Sequence, residues 1–136
     1  MVLYPEDYKF GIKEEELIHK TLNKYFGRDI KRSEDEKAKH DFYDDEYNYE
    51  VKSRKITYNR YSTTLITEDK ICGNKKIILL FNFTDALYYI EYNEEKFLKY
   101  ERQQFSRSKL KKDEKSHLYI PIKDLIFISK REDFIK

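Results

Sequence analysis

Between residues 11 and 26 the apolar side chains of Leu17, Ile18, Leu22, Tyr25 and Phe26 recur at the spacing of one helix face, and Gly27 stands where a helix commonly ends on glycine. That stretch predicts a first helix. Residues 28–32 can form a short strand, and residues 33–39 are polar enough to be a loop. Residues 40–44 and 47–55 alternate and are rich in aromatics, so they predict a hairpin with Asp44, Asp45 and Glu46 at its turn. Residues 61–71 are divided: Thr63, Thr64, Ile66 and Thr67 favour a strand, whereas Leu65, Asp69 and Ile71 allow a short helix, which is the expectation here. Residues 76–83 and 86–92 are strongly β-like around Thr84-Asp85 and predict a second hairpin buried on both faces. Asn93 is a good N-cap, with Glu94 and Glu95 in the first turn and Arg102 and Arg107 later, which predicts a second helix over 93–107. Residues 109–115 read as a charged loop, and residues 117–120 and 125–128 as short strands interrupted by Pro121.

This pattern describes an α/β chain with a central mixed sheet flanked by helices at 11–26 and 93–107. At 136 residues it is the length of one domain, spanning 1–136. Its hydrophobic residues, 39% of the total, fall in periodic stretches, so the 40% that is charged reads as a solvated surface rather than disorder. The core leans on aromatics. A formal charge of +2 gives no argument for a polyanionic partner, so any nucleic-acid footprint has to come from local clustering. One cysteine, Cys72, excludes an internal disulfide and a cysteine-cluster metal site. The three glycines form no phosphate-cradling loop. Neither a secretory signal nor a membrane span is expected, which points to a reducing, intracellular compartment, the cytoplasm or a host-cell interior.

The first hairpin carries the chemistry. If its turn is Asp45-Glu46, then Phe42 faces Tyr49 and Asp41 faces Glu50, with Cβ atoms of opposed residues about 4.5–5.5 Å apart on one face. Lys52 shares that face with Glu50 by strand alternation, while Tyr49 and Val51 turn to the other. Two opposed carboxylates repel unless something offsets them. A divalent cation would do so, because Mg²⁺ prefers hard oxygen ligands and completes its shell with waters and phosphate oxygens. The competing reading is an ordinary solvated sheet face on which Lys52 neutralises one acid.

A helix with an acidic residue, a strand carrying Asp and a strand reading Glu-x-Lys resemble the PD-(D/E)XK nuclease superfamily of restriction enzymes and archaeal Holliday-junction resolvases. The residues are Glu14-Glu15-Glu16-Leu17-Ile18, His40-Asp41-Phe42 and Tyr49-Glu50-Val51-Lys52-Ser53, and the resemblance covers roughly the first half of the chain. It implies a restriction-endonuclease-like αβββαβ-type core and an Mg²⁺-dependent deoxyribonuclease, with Mn²⁺ as a substitute. Asp41, Glu50 and Lys52 would be catalytic, with Asp41, Glu50, the Val51 carbonyl and Glu14 holding metal. Glu14 to Glu16 are equally explained by the positive end of the helix dipole. The residue before Asp41 is His40, where the fullest family motif has proline. In some members a histidine ligates the metal, but alternation points His40 away from Asp41. A homodimer is expected for a resolvase or a palindrome cutter. The alternatives are a catalytically silent nucleic-acid-binding module of the same fold and an RNA endonuclease.

Arg54, Lys55 and Arg60, and further on Arg107, Lys109, Lys111 and Lys112, could track a phosphate backbone, with solubility as the plainer explanation. Tyr58 and Tyr61 could stack on unpaired bases. Ser53, Thr63 and Thr64 could donate to phosphate. His19, His117 and Cys72 have no neighbours that would make a zinc site or a nucleophile.

Overall fold

The computed structural model describes residues 5–34, 40–106 and 114–135. Helix α1 (Pro5–Phe26) leads to β1 (Lys31–Arg32), β2 (Phe42–Tyr43), β3 (Tyr47–Ser53), β4 (Thr63–Thr67), β5 (Lys76–Asn82) and β6 (Ala86–Glu91). One-turn α2 (Glu94–Phe97) precedes β7 (Glu101–Ser106), β8 (Glu114–Pro121), β9 (Ile126–Lys130) and α3 (Arg131–Phe134). The strands form a six-stranded sheet in the order β1-β2-β3-β5-β6-β9 and a three-stranded sheet in the order β4-β8-β7. Only β3 and β5 run parallel, so the larger sheet is mixed and the smaller is antiparallel. No helix among the described residues is long and apolar enough to cross a membrane.

The continuous apolar run of β5 explains the layering. Ile78 and Leu80 face α1, where they join Ile18, Leu22, Phe42, Tyr49 and Leu87; Ile77, Leu79 and Phe81 face the smaller sheet, where they join Ile66, Leu118 and Ile120. A strand buried on both faces needs no polar alternation, and each large side chain so buried contributes roughly 1.5–3 kcal/mol. The expected second hairpin is therefore present, as β5 and β6. The first helix is also present and begins earlier, at Pro5; it ends where Gly27, at φ 63°, sends its N–H back to the Asn23 carbonyl.

Two expected helices are not there. The segment expected as a helix at 61–71 is strand β4 followed by a single 3₁₀ turn at Glu68–Lys70. Thr64 and Ile66 turn into the core while Thr63, Leu65 and Thr67 are partly exposed, so its β-branched residues follow the two-residue period. The segment expected as a helix at 93–107 is helical for one turn only. Asn93 caps it as expected, accepting from the Lys96 N–H, and Phe97 anchors it, but Leu98 is 68% exposed and no apolar stripe continues beyond. Glu101–Ser106 instead pairs with β8, whose other edge is held by β4. The central sheet is thus covered by α1 on one face and by a second sheet, not a second helix, on the other.

The first hairpin has the expected register, Phe42 opposite Tyr49 and Tyr43 opposite Asn48. Asp44 holds its turn. The buried carboxylate accepts from the Glu46 and Tyr47 N–H groups at 2.8 and 2.7 Å, from the Tyr49 hydroxyl at 2.6 Å and from Arg28 Nε at 2.7 Å. Burial alone would raise its pKa, but the donors from Arg28, Tyr49 and the backbone outweigh burial and hold it well below the usual carboxylate range. Burial and this carboxylate together push the Tyr49 hydroxyl well above its ordinary value.

Removing the acceptor strands several buried donors, so Asp44→Ala should cost about 2–4 kcal/mol in chemical denaturation. Asp44 ionises more readily folded than unfolded. Its contribution is therefore complete above the unfolded value of about 3.9 and is lost as pH falls below it, so Asp44→Asn should flatten the acid limb of the stability curve.

Candidate functional site

The ladder between β2 and β3 ends at a defined point. Phe42 pairs with Tyr49, and the Asp41 N–H then reaches the same Tyr49 carbonyl at 3.0 Å instead of advancing to Glu50. The strand leaves the sheet there. Beyond Tyr49 no strand among the described residues pairs with the outer edge of β3, and the Asp41 carboxylate stands in, its Oδ2 accepting from the Val51 N–H at 2.9 Å. The N–H and C=O of one strand residue project to the same side, so the Val51 carbonyl lies on this open edge too.

This corrects the expectation that Asp41 and Glu50 are directly opposed on one face. Asp41 lines a hollow on the α1 side of β3 together with Glu14, Glu15, Val51 and Ser53. Glu50 and Lys52, in register with Leu79 and Phe81, face the smaller sheet. They line a cleft of about 480 Å³ with Arg54, Thr67, Lys70 and His117. The expected sharing of a face by Glu50 and Lys52, with Tyr49 and Val51 opposite, is what the strand shows.

Glu50 is 8% exposed. Its Oε1 lies 3.4 Å from Lys70 Nζ, and its Oε2 is buried without a hydrogen-bond partner among the described residues. Burial first, and then the Asp41 charge, push its pKa up to about 7, against the opposing pull of Lys70 and Lys52. Lys52 makes no hydrogen bond or ion pair among the described residues.

Lys70 is the residue that sequence reasoning missed, because its segment was read as a helix. It ends the 3₁₀ turn closed by the Ile71 N–H on the Glu68 carbonyl. The turn is pinned from three directions. His40 Nε2 bonds the Lys70 carbonyl at 2.8 Å, the Ser116 hydroxyl donates to Glu68 at 2.5 Å, and Arg102 Nε meets Glu68 at 3.0 Å. His40 and Arg102 thus support the turn. A basic residue at the end of a Thr-rich, β-branched run was the available signal.

Glu14 is near Asp41, but its Oε1 accepts from Asn82 Nδ2 at 2.8 Å and from the Arg131 guanidinium. Burial works to raise its pKa, and the bonds from Arg131 and Asn82 lower it on balance. Among the remaining sequence candidates, Arg54 lines the cleft and Lys55 and Arg60 are exposed, whereas Arg107, Lys109, Lys111 and Lys112 lie outside the described residues. Tyr58 is not free for bases, being stacked on Tyr88 at 3.9 Å and bonded through its hydroxyl to the Ile122 carbonyl. Tyr61 is 56% exposed under the Arg60 guanidinium. Thr64 is buried, and His19 bonds the Ile30 carbonyl.

The donor set suits a hard divalent cation. Among the described residues no three His, Cys, Asp or Glu gather at metal-holding positions; the carboxylates that could serve an ion are Asp41 and Glu50. That is the usual complement for Mg²⁺, which takes one or two carboxylates and fills its shell with water and phosphate oxygens. The partnerless Glu50 Oε2 is the oxygen such an ion would satisfy.

Glu50 protonates more readily folded than unfolded. Its contribution to stability is complete below the unfolded value near 4.5 and is lost as pH rises through about 7. In chelator above that pH, Glu50→Gln should therefore be the more stable protein, by up to about 3 kcal/mol in urea denaturation, and the difference should vanish near pH 4. Set against family models, curated proteins and solved structures, the chain matches none of them.

Proposed function

We propose that the chain is a metal-dependent nuclease of the restriction-endonuclease-like fold, hydrolysing phosphodiester bonds with Mg²⁺, or Mn²⁺ in its place, and DNA as substrate. The observation that carries this reading is the buried Glu50 Oε2, which has no hydrogen-bond partner among the described residues and lies in the cleft that Lys52 also lines. The order of elements supports it. A helix is followed by the antiparallel β1, β2 and β3 and then by β5 parallel to β3, as the resemblance implies. The chain departs from that plan in the crossover, where strand β4 and a 3₁₀ turn replace the helix.

Asp41, Glu50 and the Val51 carbonyl would hold the ion, with Glu14, whose Oε1 is engaged by Asn82 and Arg131, as the further ligand that the resemblance implies. When bound, the ion supplies Lewis-acid polarisation of a phosphoryl oxygen and makes water more acidic. Lys52, which shares the cleft with Glu50, orients the attacking water and stabilises the negative charge that builds on the phosphoryl oxygens. A bond forms between the water oxygen and phosphorus as the opposite P–O bond breaks; water releases one proton to solvent and the leaving oxygen takes one up. Arg54, Lys55 and Arg60 would follow the flanking phosphates.

The test is a cleavage panel of supercoiled plasmid, branched DNA, single strands and RNA, with Mg²⁺, Mn²⁺ or chelator. Cleavage should require the metal, and Lys52→Ala should lower its rate by about 10²-fold or more with the fold intact. Equal cutting by wild type and Lys52→Ala, or no cutting of any substrate, would overturn the reading. Cleavage of RNA alone would move the substrate without moving the site.

A further inference from the structure

The cleft on the second-sheet side of β3 has an imbalance of charge. Lys52, Arg54 and Lys70 all line it, while Glu50 is the one carboxylate among its lining residues. His117 adds a further ring from β8, its neighbour Leu118 being buried in the core. With a divalent cation satisfying Asp41 and Glu50, the three basic side chains would face no other carboxylate among the described residues that line the cleft. Half-buried positive charges gathered in one cleft favour an anion, and a phosphoryl group accepts hydrogen bonds from ammonium and guanidinium together.

Lys70 is the cation whose position is built. Its backbone is clamped by His40 and by the Glu68 contacts to Ser116 and Arg102, so the side chain leaves a fixed point and ends 3.4 Å from Glu50 Oε1. We propose that Lys70 is a substrate-binding residue of this site: its ammonium keeps Glu50 company while no divalent ion is bound, and binds the phosphoryl group once the ion has taken its place. This rests on the nuclease reading above. It assigns the anion-binding half of the site to the junction of the two sheets, and the cation-binding half to the open edge of β3.

Such a residue has a signature of opposite signs. Lys70→Met removes a competitor for Glu50, so Mn²⁺ binding to the protein alone, measured at pH 8.5 by isothermal titration, should tighten about fivefold. The same variant should lose about 10²-fold in kcat/KM on whichever substrate the wild type cuts. Lys70→Arg, which keeps the charge, should recover much of that loss. Lys99→Ala, an exposed charge beyond α2, should change neither quantity.

A residue that only holds Glu50 or the turn in shape would make Mn²⁺ binding and cleavage fall together, and that result would overturn the proposal. So would cleavage by Lys70→Met at the wild-type rate, which leaves the nuclease reading standing. Wild-type protein that cuts nothing overturns both. Should Met at this position unfold the chain in a thermal melt, Lys70→Gln, with a similar stem and a neutral polar tip, carries the same comparison.

Discussion

The buried Asp44 carboxylate ties the Glu46 and Tyr47 amides, the Tyr49 hydroxyl and the Arg28 guanidinium to one point, and the register of the first hairpin depends on it. A strand that slips by one residue turns every side chain to the other face. Such a slip in β3 would take Tyr49 out of its cluster with Leu22, Phe42 and Leu80 and replace it there with a glutamate. Packing and turn chemistry therefore agree on one register. That register leaves Asp41 one step beyond the ladder, free to cap Val51.

The two faces of β3 then divide the site's work. On the α1 side lie Asp41 and Glu14, with Glu14 drawn to Arg131 from the start of α3. On the other side lie Glu50, Lys52, Arg54 and Lys70, in a cleft walled by β4 and β8. Val51 and Ser53 border both. Each side carries both signs of charge, Glu14 meeting Arg131 on one and Glu50 meeting Lys70 on the other.

Burial sets the chemistry of Glu50. In an exposed position it would ionise like any glutamate; with the residue buried and the Asp41 charge acting on it, its charged form is disfavoured, and Lys70 and Lys52 offset that only partly. The cost of keeping a buried carboxylate is hard to explain as structure. Lys70 reaches it only because the crossover from β3 to β5 runs through a second sheet, which ends in a turn at the right height. A helix over the same residues would present Lys70 elsewhere.

How much of this was legible beforehand follows from which forces are local. The first helix, the second hairpin and the pairing of Phe42 with Tyr49 were readable because periodicity, a C-cap glycine and a two-residue turn are recorded in neighbouring residues. So was the shared face of Glu50 and Lys52, since alternation within one strand needs no partner. The strand at 63–67 and the one at 101–106 were not readable, because each exists by pairing with β8 from far along the chain, and tertiary hydrogen bonding overrode a locally acceptable helix. Asp41's departure from the ladder, the pairing of Glu14 with Arg131 and the arrival of Lys70 at Glu50 likewise depend on contacts between distant segments. The sequence by itself determined which side chains were available and which face of β3 each would take; only the tertiary structure decided which of them would meet, because burial and partner choice are properties of the packed chain.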